Sequence, residues 1–276
     1  MIMKSRHSLN GEEVMNINKQ KGFTLVEIAI VLVIIGLLLG GILKGQELIN
    51  SARVRNLADQ NSGIQAAYYG FIDRYRQVPG DFIAANASQA MGVTINLPVA
   101  ASTTDGNGQL DNTLEEAAAV WEQLAKSNFL GGGFTPATAI PASEGAYTAS
   151  QVGPLNAFNG ALILTRNAGY TGTASIRLNL HMGRNVPVTI ARELDVKVDD
   201  GLPNTGVLRL TNTAGAAGGG TTFDAIEFLP SFATCATNST ANAPANAAGA
   251  NVMPTNATDI YDIFDDFQDC PQVFVY

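Results

Sequence analysis

Charged side chains are scarce in this chain, at 14% of its 276 residues, and residues 28–43 hold none. Histidine is scarcer still. His7 and His181 are the only two, so general acid–base chemistry and histidine-rich metal centres lack their usual side chain. No G-x-S-x-G elbow, phosphate-binding glycine loop, H-E-x-x-H pair or G-x-G-x-x-G element is present. An enzyme reading therefore has no residues to rest on, and the chain reads as a non-enzyme. Cys235 and Cys270 are the only cysteines, and no histidine stands beside either in sequence, which argues against metal ligation there.

What charge there is divides unevenly. Without residues 1–22, which hold Lys4, Arg6, Lys19 and Lys21 against Glu12 and Glu13, the chain carries 12 basic and 22 acidic side chains. Beyond residue 77 there are 7 Lys or Arg against 18 Asp or Glu. Such an acidic distal part repels phosphate backbones, so nucleic acid is an unsuitable partner and cations are a suitable one.

Residues 23–43 number 21, about 31 Å as a helix at 1.5 Å per residue, which matches the hydrocarbon thickness of a bilayer. A secretory signal is cleaved after its apolar region. Here the small residue, Gly22, precedes it. Lys19 and Lys21 lie on the leader side, so the positive-inside rule places the leader in the cytoplasm and the remainder in the periplasm. One acid, Glu27, stands at the mouth of the span. A carboxylate in lipid is costly, which makes it a functional candidate. Gly36 with Gly40, and Gly41 with Gly45, form small-xxx-small pairs that let neighbouring helices approach closely.

Lys21-Gly22-Phe23-Thr24-Leu25-Val26-Glu27, followed by the apolar run, resembles the prepilin signature of type IV pilins and type II secretion pseudopilins. The resemblance implies cleavage between Gly22 and Phe23 by a prepilin peptidase, N-methylation of Phe23, and pairing of the new amino group with Glu27 of a neighbouring subunit. It also implies an inner-membrane assembly platform and a homo-oligomeric helical filament, periplasmic or extracellular after assembly. A start at Met15 in place of Met1 gives a compact basic leader of the kind many type IV prepilins carry. Family members commonly have Pro at the twenty-second mature position, where this chain has Lys44; the glycines are the alternative source of softness in the helix. The fold implied is α+β and type IV pilin-like: a long N-terminal helix packed on a globular head with an antiparallel sheet. Residues 1–22 form the leader, 23–77 the helix (23–43 its transmembrane and assembly segment), and 78–276 the head.

Beyond residue 45 the helix turns amphipathic, with Leu57, Ile64, Tyr68, Phe71 and Tyr75 on one stripe, and it ends near Gln77 because Pro79 disfavours helix in Val78. In the head, residues 114–129 predict a helix with Leu114, Ala118, Trp121 and Ala125 facing the core, terminated by Gly131-Gly132-Gly133. Residues 161–166, 175–180, 207–211 and 225–229 predict strands, the second through Ile176, Leu178 and Leu180, with His181 at its end. Residues 188–198 predict a short helix through Ala191, Leu194 and Val198, leading into the turn-rich Asp199-Asp200-Gly201. Residues 211–222 and 236–258 are of low complexity and read as surface loops.

An even cysteine count in an exported chain predicts a Cys235–Cys270 disulfide, and many type IV pilins display such a C-terminal loop. Asp105, Asn107, Asp111 and Glu116 offer oxygens in a glycine-rich loop, with Glu116 at the twelfth place as in an EF-hand, although Leu110 stands where an EF-hand requires glycine. Calcium binding and a plain turn both remain open for this loop. A second acidic run, Asp259, Asp262, Asp265, Asp266 and Asp269, reads as a solvated face beside Cys270. The pilus subunit leads; a type II secretion pseudopilin and a minor pilin acting as a tip adhesin are the alternatives.

Overall fold

The structure, a computed structural model, describes residues 24–98, 106–135, 153–173, 175–211, 235–237, 260–263, 268 and 270–276. It divides into two compact units, Met1–Leu48 and Ile49–Tyr276. The expected strand at 225–229 and most of both low-complexity stretches lie outside the described residues.

Helix α1 (Leu25–Tyr75) runs for 51 residues without a break. No proline interrupts it, and Lys44 donates to Glu47 at 2.7 Å one turn on, so the helix continues unbroken through Lys44. It ends two residues earlier than predicted. Arg76 adopts φ +57° and its N–H reaches Ile72 O at 2.8 Å, a left-handed stop just ahead of Pro79. Within the second unit, α1 buries the predicted Leu57, Ile64, Tyr68 and Phe71 and also Val54 and Ala67, with Tyr75 at the partly buried margin.

Those residues meet a four-stranded antiparallel sheet made of β1 (Ile163–Asn167), β2 (Arg177–His181), β3 (Leu208–Leu210) and β6 (Gln272–Val275), in the order β1-β2-β6-β3. Leu164, Leu180, Phe274 and Leu208 stand opposite one another across all four strands. They form one apolar row that shares the core with α1. A two-stranded ribbon, β4 (Ala236–Thr237) with β5 (Ile260–Tyr261), stands beside the disulfide.

Three further helices complete the described head: α2 (Ala84–Met91), α3 (Leu114–Lys126) and α4 (Val188–Val198). Helix α4 has the predicted bounds. Helix α3 stops well before the triple glycine, because Asn128 takes φ +63° and the N–H groups of Phe129 and Leu130 close back on Leu124 O. Trp121 is fully buried in the core, as expected, and Leu124 rather than Ala125 continues its stripe. Alternation predicts Ile176, Leu178 and Leu180 facing inward, but only Leu180 is fully buried; Ile176 lies before β2 and is exposed.

The opposite face of the sheet is buried as well, and it sets polar side chains beside the apolar Ile163, Val273 and Val275. Thr165, Asn167, Asn179 and His181 are all enclosed. Asn179 donates to Asn167 Oδ1 at 2.7 Å, while Asn112 Oδ1 accepts from both Thr165 and Asn167. Burial pushes the His181 imidazole down to about 4, so it is neutral in the fold.

Candidate functional site

At the start of α1 the N–H and Oγ1 of Thr24 each donate to Glu27 Oε2 at 2.9 Å, and the Glu27 N–H donates to Thr24 Oγ1 at 3.2 Å. This is a capping box: it satisfies donors that a helix start leaves open. Past Glu27 the helix is long and apolar enough to cross a membrane, and its large hydrophobic side chains as far as Ile49 are exposed. A shallow apolar groove runs along Leu25, Val26, Ala29, Ile30, Val33 and Ile34. A β-carbon placed on Gly36, Gly40, Gly41 or Gly45 would meet nothing within 4 Å. Each pair, Gly36 with Gly40 and Gly41 with Gly45, therefore leaves its own side of the helix open to a close-packed neighbour, the two sides about 140° apart. Gly22 and Phe23 lie outside the described residues.

Cys235 and Cys270 form the expected disulfide, with Cα atoms 5.7 Å apart. Both are fully buried. The surrounding backbone is pinned on each side: Cys270 N–H donates to Val186 O at 2.7 Å and Asp262 N–H donates to Cys235 O at 3.0 Å. Asp262 is itself buried, so it does not belong to a solvated acidic face; Asp259, Asp265, Asp266 and Asp269 lie outside the described residues.

The loop read as a calcium candidate is held by a residue outside the proposed ligand set. The carboxylate of Asp81 accepts the N–H groups of Gly106 at 2.6 Å, Asn107 at 3.0 Å and Gly108 at 2.7 Å. Burial raises the Asp81 carboxyl above its usual range, opposed by these three bonds. Gly80 makes this placement possible. Its φ is +95°, and a β-carbon there would sit 2.6 Å from both Leu110 and Val120 side chains. Asn107 donates to Asp111 Oδ2 at 2.9 Å, and Glu116 Oε2 accepts the Asp111 N–H at 2.6 Å while Thr113 caps the helix beneath it. Asp105 lies outside the described residues. Asn107, Asp111 and Glu116 are thus brought together, each already engaged locally.

Two polar clusters escape sequence reading. Glu122 and Gln123 look like the solvent side of α3, yet both are fully buried. Glu122 accepts the N–H groups of Asn96 and Leu97, and Gln123 spans Gly80 N–H and Phe82 O. The second is centred on Asp195 of α4, whose carboxylate accepts the Tyr261 hydroxyl at 2.8 Å. The signal for it was present: Asp195 stands four residues after Ala191, on the buried side of a helix, where an acid is out of place. Next to it, Asp199 accepts the N–H groups of Val207 and Leu208. Gly206 is required for this turn, since its φ is +71° and a β-carbon would overlap the Asp199 carboxylate.

Comparison with known proteins finds no match among curated proteins or solved structures. Residues 17–43 match the family model for the prokaryotic N-terminal methylation motif. With that motif leading into an exposed apolar helix, an α+β head carrying an antiparallel sheet and a disulfide between Cys235 and Cys270, the chain bears the signature of type IV pilins and pseudopilins.

Proposed function

We propose that the chain is a structural subunit of a type IV pilus or pilus-like filament. Residues 1–22 are a leader removed by prepilin peptidase, residues 23–77 the helix that first anchors the subunit in the inner membrane and then polymerises through 23–43, and residues 78–276 the periplasmic or surface-exposed head. The supporting observation is the exposed apolar helix with a single carboxylate, Glu27, at its entrance. Such a surface is unfavourable in water and finds apolar surroundings either in lipid or against the same helix of neighbouring subunits. After cleavage the amino group of Phe23 is the natural partner for Glu27 of a neighbour, an ion pair that offsets two charges otherwise costly in an apolar bundle. We assign the loop containing Asp105, Asn107, Asp111 and Glu116 a role in weak calcium binding.

The test is electron cryo-microscopy of sheared surface fibres with mass spectrometry of their subunits. Fibres built mainly of this protein, beginning at methylated Phe23, are the expected result. Fibres in which residues 1–22 remain attached overturn it. A few copies at fibre tips make the chain a minor pilin acting as an adhesin, and a short periplasmic filament that depends on secretion components makes it a pseudopilin.

A further inference from the structure

An asparagine followed by glycine is chemically fragile. The glycine nitrogen, once it gives up its proton, attacks the asparagine side-chain carbonyl carbon; ammonia leaves, and water opens the resulting cyclic imide to aspartate or isoaspartate. Glycine favours the attack because no β-carbon hinders it. Two such steps fall among the described residues, Asn107-Gly108 and Asn159-Gly160, and both asparagines are exposed to water.

The fold holds both glycines in place. Gly108 has φ +84°, which strains any residue with a β-carbon, and a β-carbon on Gly160 would lie 2.3 Å from Arg184 O. Protection is supplied instead at the attacking nitrogen. Gly108 N–H donates to Asp81 Oδ2 at 2.7 Å, and Gly160 N–H donates to Asn156 Oδ1 at 2.8 Å. A nitrogen that donates to a carboxylate is harder to deprotonate, and its bond must break before it can attack. At Asn107 the other reactant is fixed as well. Its Oδ1 accepts Gln109 N–H at 2.7 Å, and its Nδ2 donates to Asp111 Oδ2 at 2.9 Å.

We propose that Asn107 is a deamidation site whose rate is set by Asp81, with conversion confined to molecules in which the bond from Gly108 N–H to Asp81 has opened. In the reaction the bond between Gly108 N and Asn107 Cγ forms and the Cγ–Nδ2 bond breaks. Nδ2 departs as ammonia with the proton that Gly108 N gives up, and one water hydrolyses the imide. The product does not restore the loop. Nδ2 is the donor to Asp111, so aspartate or isoaspartate at position 107 sets a carboxylate against that of Asp111 in place of a hydrogen bond. The Asn159 step depends on a different acceptor and serves as an internal reference.

Full-length protein in detergent would be held with chelator at pH 8 and 37 °C and digested, and both steps scored for aspartate and isoaspartate by mass spectrometry. Protein unfolded in guanidinium chloride is the unprotected reference. Folded wild type is expected to convert at Asn107 at least about tenfold more slowly than the unfolded chain, the factor that one hydrogen bond to a charged group controls. Asp81→Asn leaves one acceptor oxygen for three N–H groups. In that variant Asn107 should speed up by a similar factor while Asn159 keeps its wild-type rate. Three results would each overturn the proposal: conversion of Asn107 as fast in folded wild type as in denaturant, an unchanged Asn107 rate in Asp81→Asn, or equal acceleration of both steps, which reports opening of the whole head.

Discussion

Thr24 and Glu27 cap each other at the start of α1, with the Thr24 N–H and Oγ1 both on Glu27 Oε2 and the Glu27 N–H on Thr24 Oγ1. In the separate subunit the carboxylate is therefore employed before any neighbour arrives. Glu27 has two separable tasks: starting the helix and, in the proposed filament, pairing with the amino group of Phe23 on another subunit.

Substitution divides these tasks. Glu27→Gln keeps an acceptor for Thr24 and loses the charge, whereas Glu27→Ala loses both. Cleaved, membrane-bound subunit is expected from both variants, because neither residue is more polar than the carboxylate it replaces. Fibre yield, measured by shearing and quantitative immunoblot, should fall at least tenfold in both, since one unpaired charge in an apolar bundle costs several times RT. Wild-type fibre yield from Glu27→Gln would show that the cap, not the charge, is what assembly uses.

Asp81 is the second residue whose removal should be felt. Three backbone N–H groups converge on its carboxylate, and deleting the acceptor strands them. Asp81→Ala is expected to destabilise the head by about 3 kcal/mol and Asp81→Asn, which keeps one acceptor oxygen, by roughly half of that. Denaturant midpoints of the full-length protein in detergent check the order; equal midpoints for Asp81→Ala and wild type would remove Asp81 from the scaffold.

The helices were legible in the sequence wherever apolar spacing alone decided them. Leu57, Ile64, Tyr68 and Phe71 marked the buried side of α1, and residues 188–198 marked α4 to the residue. Strand β6 was not legible, although it lies at the interior of the sheet: four residues at the end of an acidic, low-complexity stretch carry no periodicity to read. The polar side chains at buried positions were equally hidden. Asn167, Asn179, His181, Glu122 and Gln123 have compositions that suggest solvent, and only the partners supplied by distant segments make their burial affordable. The same limit applies to the candidate site. Glu27 stood out because an acid in an apolar run has few explanations, but the Asp81 clamp depends on residues 25 to 27 positions away.

The Asp105 loop supplies a cation test. With free calcium at 100 times its dissociation constant, ligand linkage would stabilise the folded head by about 2.7 kcal/mol. Thermal melting of the full-length protein would be followed with calcium, with magnesium and with chelator. A higher melting temperature in calcium alone, lost in Asp105→Ala, is expected. Equal melting in all three conditions leaves the loop a turn held by Asp81.

Two buried groups should bend the stability of the head in opposite directions with pH. His181 is fully enclosed and held down to about 4, below its ordinary value of 6.5. The unfolded chain binds its proton first as pH falls, so the stability His181 contributes is present above about 6.5 and lost toward 4, at about 1.4 kcal/mol per pH unit. Asp195 is held up to about 7, above its ordinary value of 3.8. Its contribution has the reverse sign, present at low pH and lost as pH rises toward 7. Across pH 4.5 to 6.5 the two slopes oppose each other in the wild type, and single variants separate them. Relative to wild type, His181→Gln should gain stability as pH falls, and Asp195→Asn should gain stability as pH rises. Urea unfolding at four pH values in this window measures both differences. Parallel profiles for the two variants would mean that at least one of these groups titrates at its ordinary value in the folded protein.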